Sequence, residues 1–542
     1  MHERPWSFLC NRVLITDNII CRLDMSVLFS ILPIILLFVL MLCFKMAGHK
    51  SALITLIITI LIALFLPNQF GFAPDGYEQS GVWWAVLEGF LKATFPILII
   101  ILMAIYSYNV LLKSGDIEII KRQFTSLSDD KGVTVLLLVW GFGGLLEGMA
   151  GFGTAVAIPA AILISLGFKP GFSALVALIA NSVPTGFGAV GVPVTTLCNE
   201  VSASGQASQA EILDISSKVV LQLSPLMIIL PFIILFLTDR STKALGKNIV
   251  LALIVGVVSL VVQFVSARYL GAETPAIFGS IAAIFAIILY AKLFTKSGKK
   301  ADDEKVSIKA NLRAWSVYFF ILVFIVLSGP LVPGINGFLK ETLVSKVHLP
   351  IYPEGKYFTF GWISNAGLML FLGSVIGGLI QGLSLKTLLT VLAKTVVNLR
   401  KTVVTILSLV AIASVMGYSG MILVIASALA AATGAYYPLF APLIGAIGTF
   451  VTGSDTSSNI LFGKLQSNVA TQIAYPDPNW LAAANTAGAT GGKIISPQSI
   501  AIATASCGME GEDGKILASA LPYAIGYIVL AGLMVYFSVG II

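Results

Sequence analysis

Residues 452–459 read "TGSDTSSN", a run of small and polar side chains with one carboxylate, Asp455. The stretches on either side, "PLFAPLIGAIGTFV" (438–451) and "ILFGKLQSNVATQI" (460–473), are mostly apolar. Each arm has only about 13–15 apolar residues, too short to cross a hydrocarbon layer of about 30 Å alone. Two short arms joined by a polar tip predict a hairpin that enters and leaves the membrane on one side. Irregular backbone at membrane depth must be buried in protein or line a wet cavity, so the tip is expected to face a solute rather than lipid.

The rest of the chain supports a membrane setting. Of 542 residues, 57% are hydrophobic and 11% charged, against about 25% charged in soluble domains. Apolar runs long enough to span recur at 26–44, 51–66, 91–112, 218–238, 249–267, 275–293, 314–332, 360–382 and 517–539. They lack the alternation of a β-barrel, so the fold class is an all-α polytopic membrane protein. The net charge of +7 comes from lysines and arginines in the loops, the positive-inside pattern, which excludes a nucleic-acid partner. Loops 113–131, 292–313 and 384–401 are basic and are placed in the cytoplasm. Segments 67–90 and 200–217 have no Lys or Arg and fit outside. Residues 1–25 read as a polar extension. The five cysteines form no CxxC and the three histidines fall in a terminus or loops, so no metal, no cofactor and no histidine relay is expected.

The opening motif has a counterpart. "EGMAGFGT" (147–154) aligns with "TGSDTSSN" at an offset of 305, and "ANSVPTGFGAVGVP" (180–193) aligns with "ANTAGATGGKIISP" (484–497) at 304. Asn181 falls on Asn485, Ser182 on Thr486, Gly188 on Gly492 and Pro193 on Pro497. Each unit is read as a hairpin (134–167 and 438–473) followed by a helix interrupted by Gly and Pro (172–199 and 480–507). Five segments follow: an extension, 1–25; first spans, 26–133; a first repeat core, 134–238; connecting spans, 239–402; a second core, 403–542. Counting crossings from the basic loops, the first hairpin opens inward and the second outward, provided 403–433 crosses once. This is an inverted-topology repeat, whose paired discontinuous segments point to a transporter's site near the bilayer midplane.

Ionisable residues inside a membrane are costly and mark function. Glu147, Asp455 and Lys493 are the three within these motifs. Around them stand glycines and the hydroxyl and amide side chains of Thr154, Asn181, Ser182, Thr185, Ser457, Ser458, Asn459, Asn485, Thr486, Ser496 and Gln498. Half-helix N-termini carry partial positive charge and favour anions, and Lys493 adds a full one, so a small carboxylate is the expected ligand. Glu147 and Asp455 are the candidates for proton coupling, because burial favours a neutral carboxyl. Plainer roles stand beside these: a helix cap for Asp455, interhelical glue for Asn181 and Asn485, and a snorkelling ammonium for Lys493. Lys464, in the outgoing arm, is expected to reach the interface. An enzyme would need a nucleophile–base pair or a metal cluster, and the spans supply neither.

The motifs "LEGMAGFGTAVAIPAAILISLGFKP", "ANSVPTGFGAVGVPV", "TGSDTSSNILFGKLQ" and "AANTAGATGGKIISPQSIAIATA" resemble the L-lactate permease family, most densely over 134–200 and 438–508. The resemblance implies an inner-membrane importer of L-lactate, D-lactate and glycolate by proton symport, with the lipid bilayer, a small monocarboxylate and a proton as partners; a homodimer is compatible with it. Na⁺ coupling or another organic anion is the alternative. Carried over by motif, the site would draw on Glu147, Gly151, Thr154, Asn181, Asp455 to Asn459, Asn485, Lys493, Ser496 and Gln498. Ala155 stands where the family tends to have Pro, and "NSVPTGFGAVG" where it reads closer to "NTAPVAFGA".

Overall fold

The computed structural model describes residues 25–538 except 45, 126–129, 152, 240, 295–306, 330–331, 356 and 510–511. The expected extension, apart from Met25, and the middle of basic loop 292–313 lie outside the described residues. The chain folds as helices, ten of them long and apolar enough to cross a membrane, or eleven if the bent pair Pro170–Thr185 and Gly188–Val201 counts as one span.

Seven of the nine expected spans are recovered with shifted ends; in 26–44 and 360–382 the helices, Met25–Met41 and Ala366–Ile380, are shorter. The segment read as starting at 91 is longer: Gly81–Lys92 leads through a π-helical stretch into Ile99–Ser114. Its kink falls at Phe95 (φ −131°, ψ 119°), the residue before Pro96, which proline disfavours in the α region. The run 360–382 begins its helix only at Ala366. Before it, Val344–Val347 and Phe358–Gly361 pair as a two-stranded antiparallel sheet, so the fold is not wholly α. Segment 403–433 is two helices, Arg400–Tyr418 and Met421–Thr433, broken at Gly420 (φ 83°). Gly420 is the residue that permits this turn: its φ is left-handed, and a Cβ there would run into the Phe72 carbonyl.

Two helix pairs occupy the middle of the molecule. The first is Lys131–Met149, including a π-helical stretch at Leu137–Phe142, with Thr154–Ser165 returning along it. Its first arm has 19 residues and passes the length test for a span, so that arm is longer than expected. The second pair is Tyr437–Thr452 and Asp455–Gln472. Its arms run antiparallel, tied by Ser458 Oγ donating to the Gly445 carbonyl (2.8 Å) and Gln466 Nε2 to the Ala441 carbonyl (3.0 Å). A broken helix follows each pair: Pro170–Thr185 with Gly188–Val201, bent by 47°, and Pro478–Lys493 with Pro497–Ser506.

Close packing without a hydrophobic drive between helices needs small residues. Gly488 and Gly492 lie against the backbone of Pro442 and Ala446, so a Cβ at Gly492 would come within 2.8 Å of the Ala446 backbone. The two halves interlock reciprocally. Gly188–Val201 packs on Asp455–Gln472, and Pro497–Ser506 packs on Thr154–Ser165. Lys218, on helix Gln209–Thr238, bridges the halves by ion pairs to Asp214 (2.8 Å) and Asp477 (2.7 Å), and Gln222 Nε2 donates to the Trp480 carbonyl (2.6 Å).

Candidate functional site

Four interruptions of helical backbone meet at the interlock. At the first tip, Gly151 (φ 64°) and Gly153 (φ 84°) end one arm and start the other. At the second tip, Gly453 (φ 70°) does so, and Ser454 caps the new helix by accepting from the Ser457 N–H (3.2 Å). The first broken helix turns through Ala189, Val190 and Gly191, all at positive φ. The second restarts at Ser496, whose Oγ accepts from the Ser499 N–H. Each break frees backbone N–H groups that a regular helix would use internally.

The breaks surround a cavity of about 460 Å³. Nine of the expected residues line it: Glu147, Gly151, Asn181, Thr185, Asp455, Thr456, Ser457, Lys493 and Gln498. Glu147, Asn181 and Asp455 are buried. Among the described residues, Glu147 Oε2, both amide atoms of Asn181 and both carboxylate oxygens of Asp455 make no hydrogen bond of good geometry, although Asn181 stands beside Glu147, and Thr185 and Thr449 beside Asp455. Buried polar atoms are rarely left so; a cluster of them round one cavity marks a place built for something else to bind. Asp455 does not cap its own helix, because Ser454 does.

Lys493 is the cavity's cation. Its Nζ donates to the Gly453 carbonyl at 2.6 Å, joining the second broken helix to the second tip instead of snorkelling outward. It lies within the field of both Glu147 and Asp455 but within 4 Å of neither. The three charges therefore stand around the space without closing it.

The other expected residues point elsewhere. Asn459, Asn485 and Thr486 form a closed buried network: Asn459 Nδ2 donates to the Pro193 carbonyl and Thr486 Oγ1 (both 2.9 Å), and Asn485 Nδ2 donates to Asn459 Oδ1 (2.9 Å). Gln466 and Tyr437 extend it. This network fastens the second tip to both broken helices. Ser458 and Ser182 donate to the carbonyls of Gly445 and Ile179, and Thr154 to that of Gly151. Ser496 is the helix cap. Lys464, expected at the interface, lines a second cavity.

Thr185, named among the surrounding hydroxyls, lines the cavity. The sequence reading missed other lining residues. Ser499 is a hydroxyl one helical turn from Ser496, a signal available in the motifs. His49, Lys401, Thr402 and Thr405 also line the cavity and come from helices remote in sequence. Among the described residues no group of three His, Cys, Asp or Glu side chains is placed to hold a metal.

The model of the L-lactate permease family matches residues 26–542. An L-lactate permease of Streptococcus iniae is 40% identical over 84% of this chain and 92% of its own length. The glycolate permease GlcA of Escherichia coli is 34% identical over 94% and 95%. Among solved structures, the Alcanivorax borkumensis YdaH transporter superposes with a TM-score of 0.50 at 14% identity, covering 90% of this chain and 98% of that one, a likeness of fold.

Proposed function

The chain belongs to the L-lactate permease family, and we propose that it carries L-lactate, D-lactate and glycolate into the cell together with a proton. It is a multi-pass membrane protein and a transporter rather than an enzyme; the bacterial inner membrane is its expected site. The observation that carries the reading is the central cavity, where the Lys493 ammonium, two buried carboxyls and the Asn181 amide meet at four helix breaks, with Lys401 further along the wall. In this reading the two helix pairs are re-entrant hairpins of an inverted repeat, and the cavity opens toward the cytoplasm, because Lys401 in its wall belongs to a basic loop.

The chemistry follows from charge balance. A buried site of net charge far from zero is costly. With Lys493 charged and both carboxyls ionised, these three groups at the helix breaks sum to −1 and disfavour an anion beside them. With one carboxyl protonated they sum to zero, and a substrate anion then enters most readily with a second proton. Binding of the anion and of a proton is thereby linked. Lys493 takes the substrate carboxylate, Asn181 and Gln498 offer hydrogen bonds to the hydroxyl, and Glu147 and Asp455 exchange the proton.

The test is uptake into proteoliposomes. An inward proton gradient is expected to drive L-lactate accumulation without Na⁺. Asp455→Asn or Glu147→Gln, whichever removes the carrier, abolishes accumulation but keeps counterflow, since exchange moves no net proton. Accumulation driven by Na⁺ alone, or normal accumulation in both amide variants, contradicts the reading.

A further inference from the structure

Three walls of the central cavity continue into a second one. Helix Arg400–Tyr418 lines the first with Lys401–Ile406 and the second with Ala413–Tyr418, about 18 Å further along at 1.5 Å per residue. Helix Asp455–Gln472 gives Asp455 to the first and Lys464 to the second, and Gly188–Val201 gives Pro193 and Glu200 in the same order. Between them the helices touch: a Cβ on Gly463 would meet Leu197 Cδ1 at 2.7 Å, and Leu197 is fully buried. The second cavity is thus an end-on neighbour of the first, sealed from it by one contact.

Its volume is about 150 Å³, the space of about five waters and of a two- or three-carbon acid. Two lysines and two glutamates line it. One pair is already satisfied: Lys92 bonds Glu88 at 3.1 Å, and the Tyr352 hydroxyl donates to the same carboxylate at 2.9 Å. The other two charges are not. Lys464 is exposed into the cavity and Glu200 lies across it, each in the other's field, with no ion pair within 4 Å. A third group, Ser414 Oγ, lines the same space, buried and without a partner. A free cation, a free acceptor and a free hydroxyl around a small volume match a molecule with a carboxylate at one end and a hydroxyl beside it.

We propose that this outer cavity is a second, weaker binding station for 2-hydroxymonocarboxylates, with the carboxylate on Lys464 and the hydroxyl donating to Glu200. The proposal rests on the lactate reading of the central cavity and adds a loading position on the other side of the Leu197–Gly463 seal. The sheet of Val344–Val347 and Phe358–Gly361, which carries Tyr352 in its connection, forms part of the station's wall.

Equilibrium dialysis of labelled L-lactate against the purified full-length protein tests it. Wild type is expected to bind two lactates per chain, one tightly and one weakly. Lys493→Ala weakens the tight site, and Lys464→Ala weakens the other by about tenfold to 150-fold, the loss of one charge-assisted hydrogen bond. Glu200→Gln, which keeps the side chain's shape, lowers the weak site's preference for L-lactate over propionate by about tenfold. A single site lost in Lys493→Ala, a weak site that survives Lys464→Ala, or an unchanged preference in Glu200→Gln overturns the station and leaves the central site standing. No lactate bound at either site overturns both.

Discussion

At the scale of single residues, the molecule separates side chains that bind from side chains that brace, although they look alike in sequence. Asn181 and Asn485 occupy matching repeat positions. Asn485 is fully engaged in the Asn459–Thr486 network, whereas Asn181 lines the cavity beside Glu147. Composition cannot tell these apart, because the difference depends on which neighbours the tips bring. Lys493 and Ala189 are matched in the same way, so the full positive charge sits on one side of the cavity. Removing it leaves the substrate carboxylate with backbone donors only. Lys493→Ala is expected to weaken L-lactate binding about tenfold to 150-fold, with Lys493→Arg restoring part, since a planar fork approaches differently. Titration of the detergent-purified variants measures this; wild-type affinity in Lys493→Ala would leave the anion to backbone groups alone.

At the scale of elements, the short arms, the glycine tips and the interrupted helices were legible because each leaves a composition mark: apolar runs that stop early, then Gly, Ser, Thr or Pro. What stayed hidden depends on long-range contact. Part of the cavity's wall comes from Gly48, His49 and Lys401–Ile406, far from either repeat. The outer station joins Glu88, Glu200 and Lys464 across more than 370 residues. The sheet at 344–361 was hidden by a polar, aromatic loop composition. The second tip illustrates how geometry constrains one residue. Gly453 is left-handed, and a Cβ there would press on Gln498. Gly453→Ala is therefore expected to cost about 1–2 kcal/mol in backbone strain alone, read as a lowered unfolding temperature, and to reduce lactate affinity because the carbonyl that holds Lys493 shifts. Adding Gln498→Ala removes the contacts with Oε1 and Cδ but leaves that with Cβ, and leaves the strain, so the double variant should recover only part of the stability. Full recovery would show that φ at this position is not constrained.

At the scale of the whole molecule, each broken helix packs on the other half's helix pair, an arrangement compatible with the proposed inverted repeat. The orientation of the halves is open to direct labelling. In a background without the five native cysteines, a cysteine at Lys169 is expected to react from the cytoplasm and one beside Tyr475 from outside; reaction of both from one side would refute the inverted arrangement. The proposed proton coupling rests on the assembled cavity, where Lys493, Glu147 and Asp455 stand near one another without pairing. Calorimetric titration of L-lactate in two buffers of different ionisation enthalpy counts the protons taken up on binding. The account predicts close to one proton per lactate bound at the central site, falling toward zero when the carrier carboxyl is made an amide. Lactate binding with no proton uptake in the wild-type protein, across the pH range in which it transports, would contradict it.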